Sequence, residues 1–392
     1  MRIFDTAYGA GGGVGRLESG KTVFVPYTVT GDAVEIEIAS EKKSFCFGRL
    51  LRVITPSPFR VEADCPYFTI CGGCFYRHID YVYQLEIKRN ILKHFLKLKD
   101  IQTISGEADF SRLRCTMRAH EGRIGFYKLN SRELVPITSC KMLTPSLFNA
   151  LIAFAAGDGF NRCSFCISAL ETPRGILAEV KGGSLPFPKS CAPFEGIKVH
   201  RQLKGNPSKF RGVALGKQAL AYPLKYGDVS ASFGSFFQAN RSLLETFQEA
   251  ASKSAYGNIV ELYAGSGFFT SALQRLGKLT AVEADKTAAE LGRQSGFPIE
   301  TGDALSFLKK IRTHAADTIF LDPPRRGLER EVLTEIVRIN PKHIIYVSCD
   351  PATLARDAAI LLEKGWRISG ASLIDLFPHT QHIESITFLD RD

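Results

Sequence analysis

The second half of the chain alternates apolar strands with helical stretches, and this alternation restricts the fold more than any other feature. The runs "NIVELYAG", "LTAVEAD", "TIFLDPP" and "HIIYVSCD" have the composition of buried strands. Helical stretches such as "EVLTEIVRIN" and "TLARDAAILLEKG" follow them. This order is typical of a doubly wound parallel sheet with helices on both faces. We therefore predict an α/β, Rossmann-like domain over residues 226–392.

The first half has a different pattern. Residues 1–57 contain short strand-like runs such as "KTVFVPYTV" and "AVEIEIAS", which favour a small OB-like β-barrel. Residues 58–225 combine a basic amphipathic helix, "VYQLEIKRNILKHFLKL", with several predicted strands, and this mixture indicates an α+β domain. A length of 392 residues is consistent with three such domains.

The charge is divided unevenly between the two halves. Residues 1–225 contain 32 Lys and Arg against 19 Asp and Glu, whereas residues 226–392 contain 18 against 21. A basic region of this kind suits a phosphate backbone, so we predict an RNA partner. No apolar run reaches the length of a membrane span, and "MRIFDTAYGAGGG" lacks the apolar core of a signal peptide. We expect a cytoplasmic protein that does not enter the membrane.

The residues with chemical potential follow the predicted strands. Gly265 and Gly267 follow the strand in "NIVELYAG", Glu283 ends the strand in "LTAVEAD", and Asp322 follows the strand in "TIFLDPP". Ligands of such sheets bind at the carboxyl ends of the strands, where a carboxylate can accept hydrogen bonds from ribose hydroxyls. Since there is no room for a second nucleotide motif, S-adenosylmethionine is favoured over NAD. The alternative is that these are only turn residues.

Cys349 follows the fifth strand, just before a helix that Asp350 caps and Pro351 opens. The positive helix end favours the thiolate, and the Asp350 charge opposes it. A thiolate beside a methyl donor indicates covalent catalysis, since sulfur added to carbon 6 of a uracil makes carbon 5 nucleophilic. The carbon 5 proton must then be removed by a base. Glu384 is the candidate for this base, and His379 and His382 compete with it.

The ten cysteines are not expected to form disulfides in a reducing compartment. Three of them, Cys65, Cys71 and Cys74, lie within "CPYFTICGGC". Such close thiols suit an iron–sulfur cluster, with zinc as the chemical alternative. Cys163 and Cys166 are interpreted as alternating strand residues, and Cys46 and Cys191 receive no role.

Several motifs together resemble the RNA 5-methyluridine methyltransferase family. They are "SFFQAN", "LYAGSGFF", "LDPPRRGL", "YVSCDPATLARD" and "DLFPHTQHIES", in this order. The resemblance implies that Cys349 is the nucleophile and Glu384 the base. It places the S-adenosylmethionine contacts on Gln238, Tyr263, Glu283 and Asp322, beside the Gly265 and Gly267 turn. Phe268 stands where members often have Asn, so we expect Asp303 to supply the missing hydrogen bond.

The same resemblance implies a [4Fe–4S] cluster and an N-terminal TRAM barrel. Cys140, in "PITSCKMLTP", matches the fourth ligand beside Cys65, Cys71 and Cys74, and Cys115 is its rival. A radical S-adenosylmethionine enzyme also joins a cluster to this cofactor, but its cysteine spacing differs.

The predicted function is S-adenosylmethionine-dependent methylation of carbon 5 of a uridine in structured RNA by a monomeric enzyme. We prefer 23S rRNA as the substrate, with tRNA second. One rival is methylation of an exocyclic amine, which needs no thiolate. Another is an RNA-binding protein that carries a cluster and has no catalytic activity.

Overall fold

The computed structural model describes residues 1–9, 12–157, 159–203 and 206–391. The first sheet contains five strands: β1 (Ile3–Ala7), β2 (Gly12–Arg16), β3 (Thr22–Pro26), β4 (Ala33–Glu41) and β5 (Phe45–Thr55). They pair in the order β1–β2–β3–β5–β4. Their inward positions carry small β-branched residues, and Val23, Val25 and Cys46 form a compact core. These strands occupy the segment for which a barrel is predicted.

A long helix and a short strand follow the first sheet. Helix α1 (Tyr81–Leu96) begins at the cap Asp80, whose side chain accepts a hydrogen bond from the backbone N–H of Tyr83. It ends at Lys97, which has left-handed backbone angles. Strand β6 (Gln102–Ile104) comes next.

The central sheet has seven strands in the order β13–β12–β11–β10–β7–β8–β9. Its elements are β7 (Arg114–His120), β8 (Arg123–Tyr127), β9 (Leu134–Pro136), α2 (Pro145–Ala156), β10 (Ser164–Thr172), β11 (Gly175–Gly182), β12 (Gly196–Leu203) and β13 (Asn206–Gly216). Helix α2 buries Leu147, Leu151 and Phe154 against one face of this sheet, where Met117 and Ile167 point inward. A hairpin of β14 (Ala219–Tyr222) and β15 (Val229–Ser232) follows.

The last sheet has eight strands in the order β18–β17–β16–β19–β20–β22–β21–β6. Its strands are β16 (Gly257–Leu262), β17 (Gly277–Glu283), β18 (Ile299–Thr301), β19 (Thr318–Leu321), β20 (His343–Ser348), β21 (Arg367–Ile374) and β22 (Glu384–Asp390), together with β6. The helices are α3 (Leu244–Ser252), α4 (Thr270–Leu273), α5 (Lys286–Gln294), α6 (Ala304–Leu308), α7 (Arg330–Ile339) and α8 (Pro351–Glu363). Strands β16 to β20 are parallel, and β22 is antiparallel to β20. The predicted α/β fold is confirmed.

The last sheet extends beyond the predicted boundary at residue 226. Strand β6 pairs in parallel with β21, and Leu92 and Leu96 of α1 lie in the same core as Ile319 and Ile344. The apolar face of α1 therefore covers this sheet rather than the central one. Part of the segment that the sequence assigns to the central domain completes the C-terminal fold.

A buried ion pair fastens α1 to the chain that leads into β22. The Lys88 ammonium donates to the carboxylate of Asp375 at 2.6 Å and to the carbonyl oxygen of Phe377 at 2.8 Å. Tyr81 donates its hydroxyl to the second oxygen of Asp375 at 2.9 Å. Both charged side chains are 1 % exposed. This network holds the turn that precedes Glu384.

We expect Lys88→Met to lower the free energy of unfolding by about 3–5 kcal/mol, because it leaves the Asp375 carboxylate buried without its partner. Urea denaturation followed by circular dichroism measures the loss. The double variant Lys88→Met/Asp375→Asn should recover part of it, because no buried charge then remains. A single variant as stable as wild type would contradict a buried ion pair at this position.

Among the described residues, the longest apolar stretches of helix fall short of what crossing a bilayer requires.

Candidate active site

The register of the parallel strands brings their carboxyl ends to one edge. Leu321 of β19 pairs with Leu262 of β16 on one side and with Tyr346 of β20 on the other. Leu262 in turn pairs with Val282 of β17. The residues that follow, including Tyr263, Glu283 and Asp322, must therefore emerge at this edge, as the sequence predicts.

Cys349 and Glu384 are brought close together by an antiparallel ladder. Ser348, the last residue of β20, pairs with Ser385 of β22, and the Ser385 hydroxyl donates to the Ser348 carbonyl oxygen at 3.2 Å. Cys349 directly follows Ser348 and Glu384 directly precedes Ser385, and the Glu384 carboxyl lies close enough to raise the pKa of the Cys349 thiol. Opposed residues of such a ladder have Cα atoms about 4.5–5.5 Å apart. The nucleophile and base of the predicted mechanism are thus neighbours.

Burial raises the pKa of the Cys349 thiol to about 11. This value also contains the effects of the Glu384 and Asp322 carboxyls, which raise the pKa, and of the Arg325 guanidinium, which lowers it. The expected preference for thiolate is therefore not found in the chain without ligands, because lost hydration and two carboxyl groups outweigh the helix end. A cation that enters the site would reverse this balance.

We expect alkylation of Cys349 by iodoacetamide to accelerate about tenfold per pH unit from pH 7 to 9.5, because only the thiolate reacts. A thiol with an ordinary pKa of about 8.5 would level off within this range. Peptide mass spectrometry after timed quenching measures the rate at this one residue, and free glutathione serves as the reference thiol. A plateau below pH 9 would contradict the raised pKa.

The carboxyl groups around the thiol have raised pKa values. Burial raises the pKa of Glu384 well above its ordinary value, with the Asp322 charge as a second cause. Burial also raises the pKa of Asp322 to about 7 and that of Glu261 to about 8. Glu261 accepts a hydrogen bond from the Thr270 hydroxyl at 2.6 Å, beneath the glycine turn. Burial thus favours the neutral forms of these carboxyls, and a cationic ligand nearby would favour their charged forms.

The two histidines that compete with Glu384 for the role of base, His379 and His382, contact other parts of the fold. The His379 backbone N–H donates to the Gln84 side chain at 3.0 Å, and its carbonyl oxygen accepts from the N–H groups of Phe75 and Tyr76. His379 therefore braces the segment in front of α1. The His382 ring packs edge-on against Phe377, with centroids 5.6 Å apart. The pKa of both imidazoles is lowered to about 4, chiefly by burial, and the Arg325 guanidinium that acts on Cys349 contributes to the lowering for His382.

The glycine turn fits a ligand that approaches the backbone. Gly265 has a φ of 57°, and a Cβ atom there would meet open space. Its N–H donates to the Glu283 carboxylate at 2.8 Å, which fixes that side chain at the edge of the sheet. Gly267 has a φ of 96°, and its absent Cβ would lie 2.3 Å from the ring of Phe297. A larger residue there would push α5 and its following loop away.

The other predicted cofactor residues surround this turn. Tyr263 has a φ of 64°, a strained backbone conformation that costs on the order of 1–3 kcal/mol. Gln238 is buried directly after Phe237. Asp303 caps α6 by accepting from the Ser306 N–H at 2.8 Å and remains exposed. Phe268 packs its ring against Phe237, Phe247 and Phe269, so an apolar cluster occupies the position of the usual Asn.

Two contacts near Cys349 escaped the sequence interpretation. Tyr8, from the first sheet, donates its hydroxyl to the Asp350 carboxylate at 2.8 Å. The other oxygen of Asp350 accepts from the Thr353 N–H at 2.9 Å and caps α8. Arg325 is close enough to lower the pKa of the Cys349 thiol. Arg325 lies within the motif "LDPPRRGL" and could have been noticed there. Nothing in the sequence links Tyr8 to Asp350.

Four of the predicted cluster ligands line a single cavity. The thiols of Cys65, Cys71, Cys74 and Cys140 border about 560 Å³ of empty space that opens to solvent, together with Arg77, Arg112 and Lys141. Gly72 lets the cysteine-bearing segment pass close to Tyr127, because a Cβ atom at residue 72 would lie 2.8 Å from the carbonyl oxygen of Tyr127. Within the described ranges, no three His, Cys, Asp or Glu side chains have the geometry of a metal site.

The donor set nevertheless fits a cluster. Soft thiolates are the ligands that iron–sulfur clusters require, and nearby guanidinium groups would balance the negative charge of four of them. Cys115, the rival ligand, points into the core of the central sheet instead of lining this cavity. All ten cysteines are free.

The fold is shared with a solved RNA methyltransferase structure. The structure superposes on the crystal structure of a Pyrococcus abyssi tRNA (uracil-54, C5)-methyltransferase in complex with S-adenosyl-L-homocysteine, with a TM-score of 0.80. The two chains are 23% identical, and the match covers 99% of this chain and 100% of the other. The chain thus has the fold of S-adenosylmethionine-dependent methyltransferases.

Sequence relatives define the family. The profile of tRNA (Uracil-5-)-methyltransferase matches residues 302–392. The 23S rRNA (uracil(1939)-C(5))-methyltransferases RlmD of Chromohalobacter salexigens and Pectobacterium carotovorum are each 30% identical to this chain. Both matches cover 97% of this chain, with 87% and 92% of the relatives. This chain belongs to the RNA uracil-C5 methyltransferase family, and it is an enzyme of that kind.

Proposed function

We propose that this enzyme methylates carbon 5 of a single uridine in 23S rRNA through a covalent adduct on Cys349. The observation that carries the proposal is the pairing of Ser348 with Ser385, which brings the adjoining Cys349 and Glu384 within electrostatic reach of each other and of Asp322 and Arg325. A target carbon inside a helix is inaccessible, so the uridine must lie in a loop or be flipped out.

The chain supplies a nucleophile and a base for this reaction. The Cys349 thiol gives up its proton to water, and the sulfur bonds to carbon 6 while the π electrons of the carbon 5–carbon 6 bond move onto the ring carbonyl. The carbonyl then re-forms as carbon 5 takes the methyl group from the sulfonium of the donor, which leaves as a neutral thioether. Glu384 removes the carbon 5 proton, after which the carbon 6–sulfur bond breaks and the thiolate returns. The raised pKa of Glu384 suits this role, since a weaker acid has a more basic conjugate carboxylate.

S-adenosylmethionine would supply the methyl group as a sulfonium. We assign its binding to the edge formed by the residues that the sequence predicts: Gln238, Tyr263, Gly265, Gly267, Glu283, Asp303 and Asp322. Glu283 would accept the ribose hydroxyls. Asp303, whose exposed carboxylate borders the same edge, would replace the polar contact that Phe268 lacks. The acidic surroundings of Cys349 favour a cationic donor, and its charge would promote thiolate formation.

The choice of RNA is supported by the relatives with full-length matches, which are named for uridine 1939 of 23S rRNA. tRNA remains the second candidate, because the superposed archaeal enzyme is named for a tRNA uridine. Mapping 5-methyluridine by mass spectrometry in ribosomal and transfer RNA, with and without the gene, separates the two. A methyl group that disappears from tRNA alone would overturn the proposed substrate.

We also propose that Cys65, Cys71, Cys74 and Cys140 hold a [4Fe–4S] cluster that stabilises the central domain, and that the N-terminal sheet is a TRAM barrel. The monomeric state and the cytoplasmic location stay predictions. Four thiols on one cavity beside Arg77 and Arg112 support the cluster.

We expect protein purified without oxygen to be brown and to contain about four iron atoms per chain. Cys71→Ser should lose the colour and the iron, because one thiolate ligand is missing. Cys163→Ser is the matched control and should keep both, since the Cys163 thiol lies against the carbonyl oxygens of Gly159 and Ser184. Colourless protein loaded with zinc would contradict the cluster.

A further inference from the structure

One face of the central sheet carries a row of polar side chains. Strand register aligns Arg118, Cys166, Lys181 and His200 across four neighbouring strands. A second row aligns Thr116, Ser168, Glu179 and Lys198. We call these eight residues the open face. Their neighbours along each strand, such as Met117, Ile167 and Val180, point to the opposite side, into the core under α2.

The open face is accessible. All eight of its side chains are half-buried or exposed, and Thr116 and Lys181 are exposed. The next row of the sheet, which contains the paired residues Leu170 and Leu177, is covered by the β14–β15 hairpin. A sheet that buries one face and leaves a polar one in solvent is ordinary, so accessibility alone assigns no role to this face.

Charge distinguishes this face from the rest of the basic half. Its lysines and arginine outnumber its single acid, Glu179, which contacts Lys181 at 3.1 Å and His200 at 2.8 Å. Within the part of the chain that the structure describes, Arg118 and Lys198 form no ion pair. Arg118 instead lies 5.3 Å from the ring centroid of the exposed Tyr127. These cations remain available for anions.

The N-terminal sheet carries almost no excess of positive charge. Residues 1–57 contain seven Lys and Arg against six Asp and Glu, so the excess lies in residues 58–225, with 25 against 13. On the barrel, Arg49 pairs with Glu37, and Arg52 pairs with Glu35. The positive charge that the sequence assigns to the first half is therefore a property of the central domain.

The open face continues towards the cofactor edge. Arg114, one row below Thr116, lies 5.8 Å from the ring centroid of Phe236, which is 67 % exposed. A groove of about 620 Å³ runs between Glu179 and Lys181 of the sheet and the segment Ser232–Ser235. This segment leads within three residues to Gln238. A strand of RNA on the open face would thus approach the catalytic edge without leaving the protein surface.

We propose that the open face binds the phosphate backbone of the RNA segment next to the target uridine, with Arg118, Lys181 and Lys198 as its main cationic contacts. The inference rests on the proposed function and specifies where that RNA lies. Such contacts position the substrate and carry no sequence information.

The test compares two double variants that each remove two positive charges. Arg118→Gln/Lys198→Gln alters the open face by removing its two cations that form no ion pair among the described residues. Lys342→Gln/Lys364→Gln is the matched control: both lysines are exposed, one just before β20 and the other just after α8, at the edge of the sheet opposite the active site. The probes are a transcript of the 23S rRNA segment around the uridine equivalent to 1939 and a single-stranded oligouridylate of equal length.

We expect the open-face variant to bind both probes at least tenfold more weakly than wild type, and the control to change less than twofold. The slope of log affinity against log salt should fall by about 1.4, since each lost contact on single-stranded RNA contributes about 0.7. The melting-temperature shift produced by S-adenosylmethionine should persist in both variants. Equal affinity of the open-face variant and wild type, or equal weakening in both variants, overturns the proposal.

Cysteine footprinting gives an independent measurement. Cys166 is on the open face. The thiol of Cys163, three residues earlier in the chain, donates to the backbone carbonyl oxygen of Gly159. Bound RNA should slow N-ethylmaleimide labelling of Cys166 at least fivefold and leave Cys163 unchanged. Unprotected Cys166 in a complex that still methylates RNA overturns the open face alone, whereas a wild-type enzyme that binds this RNA without methylating it contradicts the proposed function.

Discussion

Cys349→Ala is expected to reduce methylation of RNA by at least about 10⁴-fold, because carbon 5 of uracil cannot attack a methyl donor without sulfur on carbon 6. Tritium transfer from labelled S-adenosylmethionine to RNA, measured under single-turnover conditions, gives the rate. Alanine removes only the sulfur at a strand end, and the Asp350 cap of α8 remains in place.

Cys163→Ala is the control for this experiment and should transfer methyl groups at the wild-type rate, since its thiol lies against the carbonyl oxygens of Gly159 and Ser184 and packs on the core of the central sheet. The S-adenosylmethionine-induced rise in melting temperature should survive in Cys349→Ala, which separates lost chemistry from lost binding. If Cys349→Ala retained a tenth of the activity, the covalent mechanism would be wrong. Exocyclic amine methylation would then account for the activity.

Glu384→Gln should arrest the reaction after methyl transfer. The amide keeps the size of the side chain but cannot take the carbon 5 proton, so the sulfur cannot leave. We expect turnover to fall by about 10²–10⁴-fold, with up to one methylated RNA bound covalently per enzyme. The adduct should appear as a band of retarded mobility on a denaturing gel with end-labelled RNA.

The double variant Glu384→Gln/Cys349→Ala provides the control, because an adduct that requires the Cys349 sulfur cannot form in it. His382→Gln tests the competing base and should give no trapped adduct, since its ring packs on Phe377. Release of free methylated RNA by Glu384→Gln at the wild-type rate would show that another group removes the proton.

The C-terminal fold was predictable because each strand and its following helix are local in the chain. The four runs from "NIVELYAG" to "HIIYVSCD" correspond to β16, β17, β19 and β20, and to the edge at which Gly265, Glu283, Asp322 and Cys349 emerge. Strand β6 was not predictable. It has three residues without a pattern of its own, and its partner β21 lies about 270 residues away.

The pKa values of the site residues were less predictable from the sequence than the identity of those residues. The helix end favours a thiolate at Cys349 and the Asp350 charge opposes it, and the pKa of the thiol is in fact raised to about 11. The cause is the burial of the thiol and the approach of Glu384 and Asp322, which depends on strand pairing. The identity of a residue can be read locally, whereas its hydration and charged neighbours are set by the assembled sheet.

The hydrogen bond from Tyr8 to Asp350 joins residues separated by 342 positions. One oxygen of that carboxylate caps the helix behind the nucleophile, and the other depends on a phenol from the opposite end of the chain. Trimming the protein to its C-terminal half would therefore yield a damaged catalyst rather than a minimal one.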